Sequence, residues 1–172
     1  MRKSKLLDLN EAIQHPGKHV IAELSTELEE AEDLDLLEPL TGTLDAVSTG
    51  TVLLLRGVFH TTVALECARC LTPVEASVEF SVSEEFDIEG VPAGYGGSYA
   101  YVVTDEPTPL FEGNALIYEE LLRQLLWVNL PSRILCREDC PGLGVPERLQ
   151  PLGRPEFAQL AELVREMEEG NR

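Results

Sequence analysis

The feature that most constrains the fold of this chain is a period-two alternation of apolar and polar residues running from Leu40 to Val82. In "LTGTLDA", Leu40, Gly42, Leu44 and Ala46 share one parity. After the turn-like "STGT", a longer run places Leu53, Leu55, Phe59, Val63, Leu65 and Cys67 on one parity and Arg56, His60, Thr62 and Glu66 on the other. In "PVEASVEFSV", Val74, Ala76, Val78, Phe80 and Val82 alternate with Glu75, Ser77, Glu79 and Ser81. Successive side chains of a strand point to opposite faces, so these runs predict neighbouring antiparallel strands with one wet face. "CARCLTP" is the turn expected to join two of them.

Outside this block the patterns are mixed. "DIEGVPAGYGGSY" holds four glycines and predicts a mobile loop. Its Gly94, Gly96 and Gly97 lack the following lysine and the strand-to-helix setting of a phosphate cradle. "YAYVVT" predicts a short strand. Asn114 is placed to cap a helix over "ALIYEELLRQLLWVNL", with Tyr118, Leu121, Leu122, Leu125 and Leu126 on its apolar face and Pro131 ending it. Trp127 is expected in the core or at its rim. A second amphipathic helix is expected from Pro155, carrying Phe157, Leu160, Ala161, Val164 and Met167 at helical spacing.

The expected fold class is therefore α+β: an antiparallel sheet or partly open barrel built of long hairpins, with two main helices in the C-terminal half. Within a single domain of 172 residues, the chain divides into an acidic segment 1–39, a core 40–145 and a C-terminal helix 146–172. No internal repeat is present. The acidic segment packs eight carboxylates between Glu23 and Glu38, interleaved with Leu24, Leu28, Leu34, Leu36 and Leu37. It reads either as a docking surface for a basic partner or as a solvated helix or loop, and the solvated reading is the expectation.

Charge narrows the function classes. Thirteen basic against 31 acidic side chains give a net charge of −18, which penalises non-specific contact with bare RNA or DNA and favours basic proteins as partners. No run of about 18 apolar residues suggests a membrane span. The basic start "MRKSKLLDLNEAI" is not followed by the apolar stretch of a signal peptide. A cytoplasmic location is expected, where thiols stay reduced and close cysteine pairs hold metal or do redox chemistry.

All four cysteines fall into two close pairs, Cys67 with Cys70 and Cys136 with Cys140. Zinc takes four soft ligands in a tetrahedron, and each pair can supply two. Arg69 inside the first pair and Arg137 inside the second either offset part of the thiolate charge or simply face water. Two other readings stand beside the metal: inert reduced thiols, with Cys67 continuing an apolar strand face, and a redox pair. The redox reading is weakened because a reactive Cys-x-x-Cys sits at a helix N-terminus, whereas Pro73 and a strand pattern follow here.

Catalytic constellations are weak. His15, His19 and His60 are scattered, His15 and His19 are separated by Pro16 and Gly17, and no nucleophile-elbow or zinc-protease motif occurs. A four-cysteine site leaves no open coordination position, so no enzyme is expected.

With these pieces in order, the chain resembles the YceD family of large ribosomal RNA subunit accumulation proteins. The resemblance rests on "CARCL" (Cys67, Arg69, Cys70, Leu71), "VEFSVSEEF" ending at Phe86, the helix "LIYEELLRQLLWVNLP", and "LCREDCPGLG" with Cys136, Asp139, Cys140, Gly142 and Leu143. It implies a role in the synthesis, processing or stability of large-subunit (23S) ribosomal RNA, hence in ribosome biogenesis, and supplies no catalytic mechanism. Many similar proteins continue with further cysteines after "GL", whereas Gly144 and Val145 follow here, which limits a metal site to four ligands. The expected partners are a basic ribosomal protein or another assembly factor, with direct rRNA contact disfavoured by charge. The competing functions are an interaction module acting outside ribosome assembly and a thiol-redox sensor.

Overall fold

A computed structural model describes residues 5–28, 34–103 and 110–143. Its centre is the antiparallel pair of β5 (Val52–Glu66) and β6 (Pro73–Val91), in register from Val52↔Asp87 to Glu66↔Pro73. The alternation seen in the sequence is realised directly. Leu53, Leu55, Phe59 and Val63 of β5 and Ala76, Val78, Phe80 and Val82 of β6 are buried on one face. Phe59 and Phe80 are cross-strand partners with ring centroids 6.1 Å apart, an aromatic pair worth about 1 kcal/mol beyond its buried area.

The other strands add to this pair. Strand β4 (Leu40–Ser48) lies against β5, and β3 (Asp35–Leu36) continues beside β5 past Pro39. Strand β2 (His19–Thr26) pairs with β4 at one edge, and β7 (Tyr99–Val102) with the end of β6 at the other. The sheet order is β2-β4-β5-β6-β7, curved into a half-barrel. Gly42 and Gly57 permit the close approach of β4 and β5: a Cβ on Gly42 would stand 2.2 Å from the Val58 carbonyl oxygen, and one on Gly57 2.4 Å from that of Thr43.

A second, three-stranded sheet joins β1 (Leu6–Asp8), β9 (Ala115–Ile117) and β8 (Phe111–Glu112). Helix α1 (Asn10–Gln14) and helix α2 (Tyr118–Asn129) pack onto the buried face. Leu121, Leu122 and Leu126 of α2 are buried, and Tyr118 and Leu125 pack against the core, as the helical spacing requires. The helix stops where Leu130 turns extended before Pro131. Trp127 is 46% exposed, on the outside of α2 rather than in the core. The second of the two expected helices, from Pro155, lies outside the described residues.

Three sequence expectations are corrected. The stretch 5–28 is not a solvated helix or loop but an integral part of the fold: Leu9, Ala12 and Ile13 are fully buried, and Leu24, Thr26 and Leu28 point inward. Its carboxylates, Asp8, Glu11, Glu23 and Glu27, all take exposed positions. Part of the carboxylate run, Glu29, Glu30, Glu32 and Asp33, lies outside the described residues. The glycine-rich stretch forms the end of β6, a 3-10 turn over Ala93–Tyr95 and the entry to β7. Gly97 there is a steric necessity, since a Cβ would fall 2.0 Å from the Val91 carbonyl oxygen.

Asn114, the third correction, is not a helix cap. It precedes β9, is 6% exposed, and accepts the Val102 N–H on its Oδ1 at 3.4 Å. Its Nδ2 lies within reach of the Ala100 carbonyl, Asn10 Oδ1 and the Tyr99 hydroxyl at 3.0–3.1 Å. Gln14 acts alongside it, donating to the Ala100 carbonyl at 2.7 Å and accepting the Ala100 N–H at 3.2 Å. Two side-chain amides thus satisfy the outer edge of β7 where a further strand would otherwise be needed. Asn114→Ala strands these buried groups and is expected to lower stability by about 3 kcal/mol, read by urea unfolding, with faster amide exchange at Val102 and Ala100. Unchanged exchange at those two amides would remove Asn114 from this role.

Candidate metal centre

The tip of the β5–β6 hairpin carries the first cysteine pair. Alternation along β5 points Cys67 inward, and it is fully buried. The turn then closes on itself: the Leu71 N–H donates to the Cys67 carbonyl at 3.0 Å and the Cys67 N–H to that of Thr72 at 2.9 Å. This closure sets Leu71 at φ 60, a left-handed conformation that costs a leucine about 1 kcal/mol or more. The second pair follows α2 and is brought to the tip by backbone contacts, Ala68 N–H to the Ile134 carbonyl at 2.9 Å and Leu143 N–H to that of Arg69 at 3.1 Å.

All four sulfurs lie within 4.8 Å of one another. Cys67 and Cys140 are buried with sulfurs 3.8 Å apart, and the half-exposed Cys70 and exposed Cys136 have theirs 3.7 Å apart. A disulfide needs about 2 Å, so these are separate thiols. A tetrahedron with Zn–S bonds of about 2.3 Å has edges of about 3.8 Å, the separation found in both close pairs. The donor set therefore fits a four-thiolate ion such as zinc, and the residues that would hold it are the four expected from the sequence.

The electrostatics suit a cation as well. Backbone N–H groups of Arg69, Cys136 and Cys70 around the Cys67 sulfur lower its pKa to about 6; that of Cys136 stands 3.4 Å away. No activating helix follows the pair, which leads straight into β6. Cys70 is also lowered, chiefly by the Thr72 hydroxyl 3.2 Å from its sulfur. Cys136 is pushed up to about 12, chiefly because its thiol proton is shared in hydrogen bonds with the sulfurs of Cys140 and Cys70, with the charge of Cys140 a lesser cause. A cation at the centre would take the place of that proton.

The two arginines have separate roles. Arg69 donates from Nη1 to the Cys140 carbonyl at 2.9 Å, tying the two cysteine segments together, and Arg137 faces Asp139 at 3.6 Å. Thr72 and the left-handed backbone of Leu71 escaped the sequence reading, as did Ile134, whose contribution is a backbone carbonyl with no side-chain signature. The three histidines are not at this site. His19 pairs with Asp45 at 2.9 Å and His60 with Thr41 at 3.0 Å on the outer sheet face, and His15 follows α1. Among the described residues no helix is long and apolar enough to cross a membrane.

With this geometry in place the sequence comparison is decisive. A family model described as large ribosomal RNA subunit accumulation protein YceD matches residues 55–164, well over half of the chain and all four cysteines. The chain belongs to the YceD family. Its curated relatives include an uncharacterized protein of Mycobacterium bovis and counterparts in two strains of Mycobacterium tuberculosis. Each is 27% identical over 177 residues, covering 95% of this chain and 76% of the relative. No solved structure matches it. YceD membership gives the chain a ribosome-related setting in large-subunit rRNA accumulation.

Metal uptake at pH 7.5 has a definite proton balance. Cys67, ionised above about pH 6, releases little, whereas Cys136, held near 12, must release its proton to bind. Zinc titration of metal-free protein in buffers of different ionisation enthalpy is expected to show at least one proton released per ion. For the metal-free chain the sign is set by the depressed Cys67 value. Its stabilisation is complete above the ordinary thiol value of 9.0 and is lost as pH falls through about 6. Cys67→Ser is expected to abolish stoichiometric zinc in elemental analysis and to lower stability by a few kcal/mol. Four freely reactive thiols and no metal in the purified native protein would remove the site.

Proposed function

We propose that this YceD protein is a non-catalytic ribosome-biogenesis factor that supports the synthesis, processing or stability of large-subunit rRNA through protein partners. Its four-cysteine centre would be a structural zinc site. The observation that carries the reading is the family match across 55–164, which includes the whole hairpin tip and both cysteine pairs. Zinc, when bound, supplies a fixed node with no coordination position left for a substrate, which supports a structural rather than a catalytic role.

The charge of −18 argues for action through a basic ribosomal protein or another assembly factor rather than through bare RNA. At physiological salt an rRNA-binding protein relies on Lys and Arg to neutralise phosphates, and only 13 such side chains stand against 31 carboxylates.

Deletion of the gene is expected to reduce free and assembled large subunits in sucrose-gradient profiles and to leave small subunits in excess. Complementation by the native chain should restore the ratio. A normal profile in the deletion strain would overturn the ribosomal role. Tight binding of purified protein to large-subunit rRNA fragments at physiological salt, with no other protein present, would overturn the protein-mediated route alone.

A further inference from the structure

Neither the cysteine centre nor the core uses the outer face of the main sheet. The registers of β2, β4, β5 and β6 align its side chains in rows: Ile21–Asp45–Arg56–Ser83, Glu23–Thr43–Val58–Ser81 and Ser25–Thr41–His60–Glu79. The row His19–Val47–Leu54–Glu85 extends the face at one end, and Thr62, bonded to the Glu38 carboxylate at 2.7 Å, at the other. Ile21, on the edge strand β2, and Val58, two strands away on β5, are 67% and 55% exposed on this face. Two adjoining grooves cross it. One, of about 480 Å³, lies between Asp45, Arg56, Val58 and Ser83; the other, of about 450 Å³, lies between Glu23, Ser25, Thr41 and His60, and Thr43 lines both.

The chemistry of this face selects its occupant. Its exposed apolar side chains stand among small Ser and Thr side chains and the carboxylates of Glu23, Glu38, Asp45, Glu79 and Glu85, with Asp45 also held by His19 at 2.9 Å and Arg56 the single guanidinium in these rows. An RNA would need several cations for phosphate and aromatic rings for stacking, and these rows contain no Phe, Tyr or Trp. Four strands by four rows span about 15 by 20 Å, about 300 Å², well under half of what a globular partner covers. That extent suits a segment rather than a folded domain.

We propose that the outer face of β2-β4-β5-β6 is a docking surface for a short Lys/Arg-rich segment of a partner protein, with an apolar side chain seated between Ile21 and Val58. The carboxylates attract the segment and fix its register, and the two grooves receive successive side chains. The proposal rests on the protein-mediated reading above and gives that reading a surface and a ligand chemistry.

The test uses the full chain in cells with a photo-crosslinking amino acid at Ser81, next to Val58, and a control with it at Val128, which is 81% exposed on α2. The expected product at Ser81 is a peptide of another protein with net positive charge. Its yield should fall at least tenfold with Glu23→Lys and Glu79→Lys together, and likewise with Glu38→Lys and Glu85→Lys. All four carboxylates are exposed, so both variants should keep the native unfolding transition, which is measured in parallel. Crosslinks to RNA that grow stronger in the lysine variants would overturn the proposal. So would crosslinks to residues 144–172 of the same chain or to a second copy, or yields no higher than at Val128. A positive crosslink in a strain whose deletion leaves ribosome profiles normal keeps the surface and removes the ribosomal role. Full complementation by both lysine variants in a strain with a large-subunit defect removes the surface and keeps the role.

Discussion

The pairing of β5 with β6 is the constraint on which everything else depends. Its register from Val52↔Asp87 to Glu66↔Pro73 fixes which parity faces the core, and with it the inward position of Cys67 at the hairpin tip. A slip of one residue would carry Phe59 and Val63 to the wet face and turn Cys67 outward. Burying Phe59 alone is worth about 3 kcal/mol, so the slipped register is far from competitive. The same alternation that buries the core places Arg56, Val58 and His60 outside, so the cysteine centre and the outer face are both set by one hairpin.

How far this could be read from the sequence depended on whether the signal was local. The strands from Leu40 to Val82 were legible because alternation is a property of neighbours along the chain. The N-terminal strand β2 was not. Glu23 within it and Glu27 just after it dominate the composition, although they occupy only exposed positions beside the buried Leu24, Thr26 and Leu28. Asn114 has the sequence context of a helix cap, but its partners are 12 to 104 residues away, on β7 and α1. The glycines after Ile88 suggested mobility, whereas Gly97 is required by the close packing of Val91. The four cysteines were legible as candidate ligands from pairing and spacing. Their distances were not, because the contacts that set them run through the backbones of Ile134 and Arg69.

The two functional candidates sit on opposite terms of the same electrostatic balance. At the centre, crowded sulfurs raise Cys136 and make a cation favourable. On the outer face, carboxylates flank exposed apolar side chains and make a cationic side chain favourable. In the first case the charge is dense, partly buried and suited to a bare ion. In the second it is spread over exposed positions where solvent and salt weaken each contact, so several must act together. A compact ion and an extended basic segment are the ligands that these two charge distributions respectively match.

The cysteine centre also has a topological consequence. Cys70 and Cys136 are 66 residues apart, and the chain between them includes all of β6, β7 and α2. A cross-link closing a loop of that length removes chain entropy worth about 4 kcal/mol from the unfolded state, in the same way as a disulfide does. Without one, the described residues hold the hairpin tip to the segment after α2 mainly by four hydrogen bonds, those of Ala68, Leu143 and Arg69 and that from the Cys136 N–H to the Cys67 sulfur. Each contributes on the order of 1 kcal/mol, and the strained Leu71 conformation offsets roughly one of them. A bound ion would therefore be the dominant link between the tip and the rest of the fold. In that case a thiolate centre with no open position affects function through the stability of the hairpin that presents the outer face.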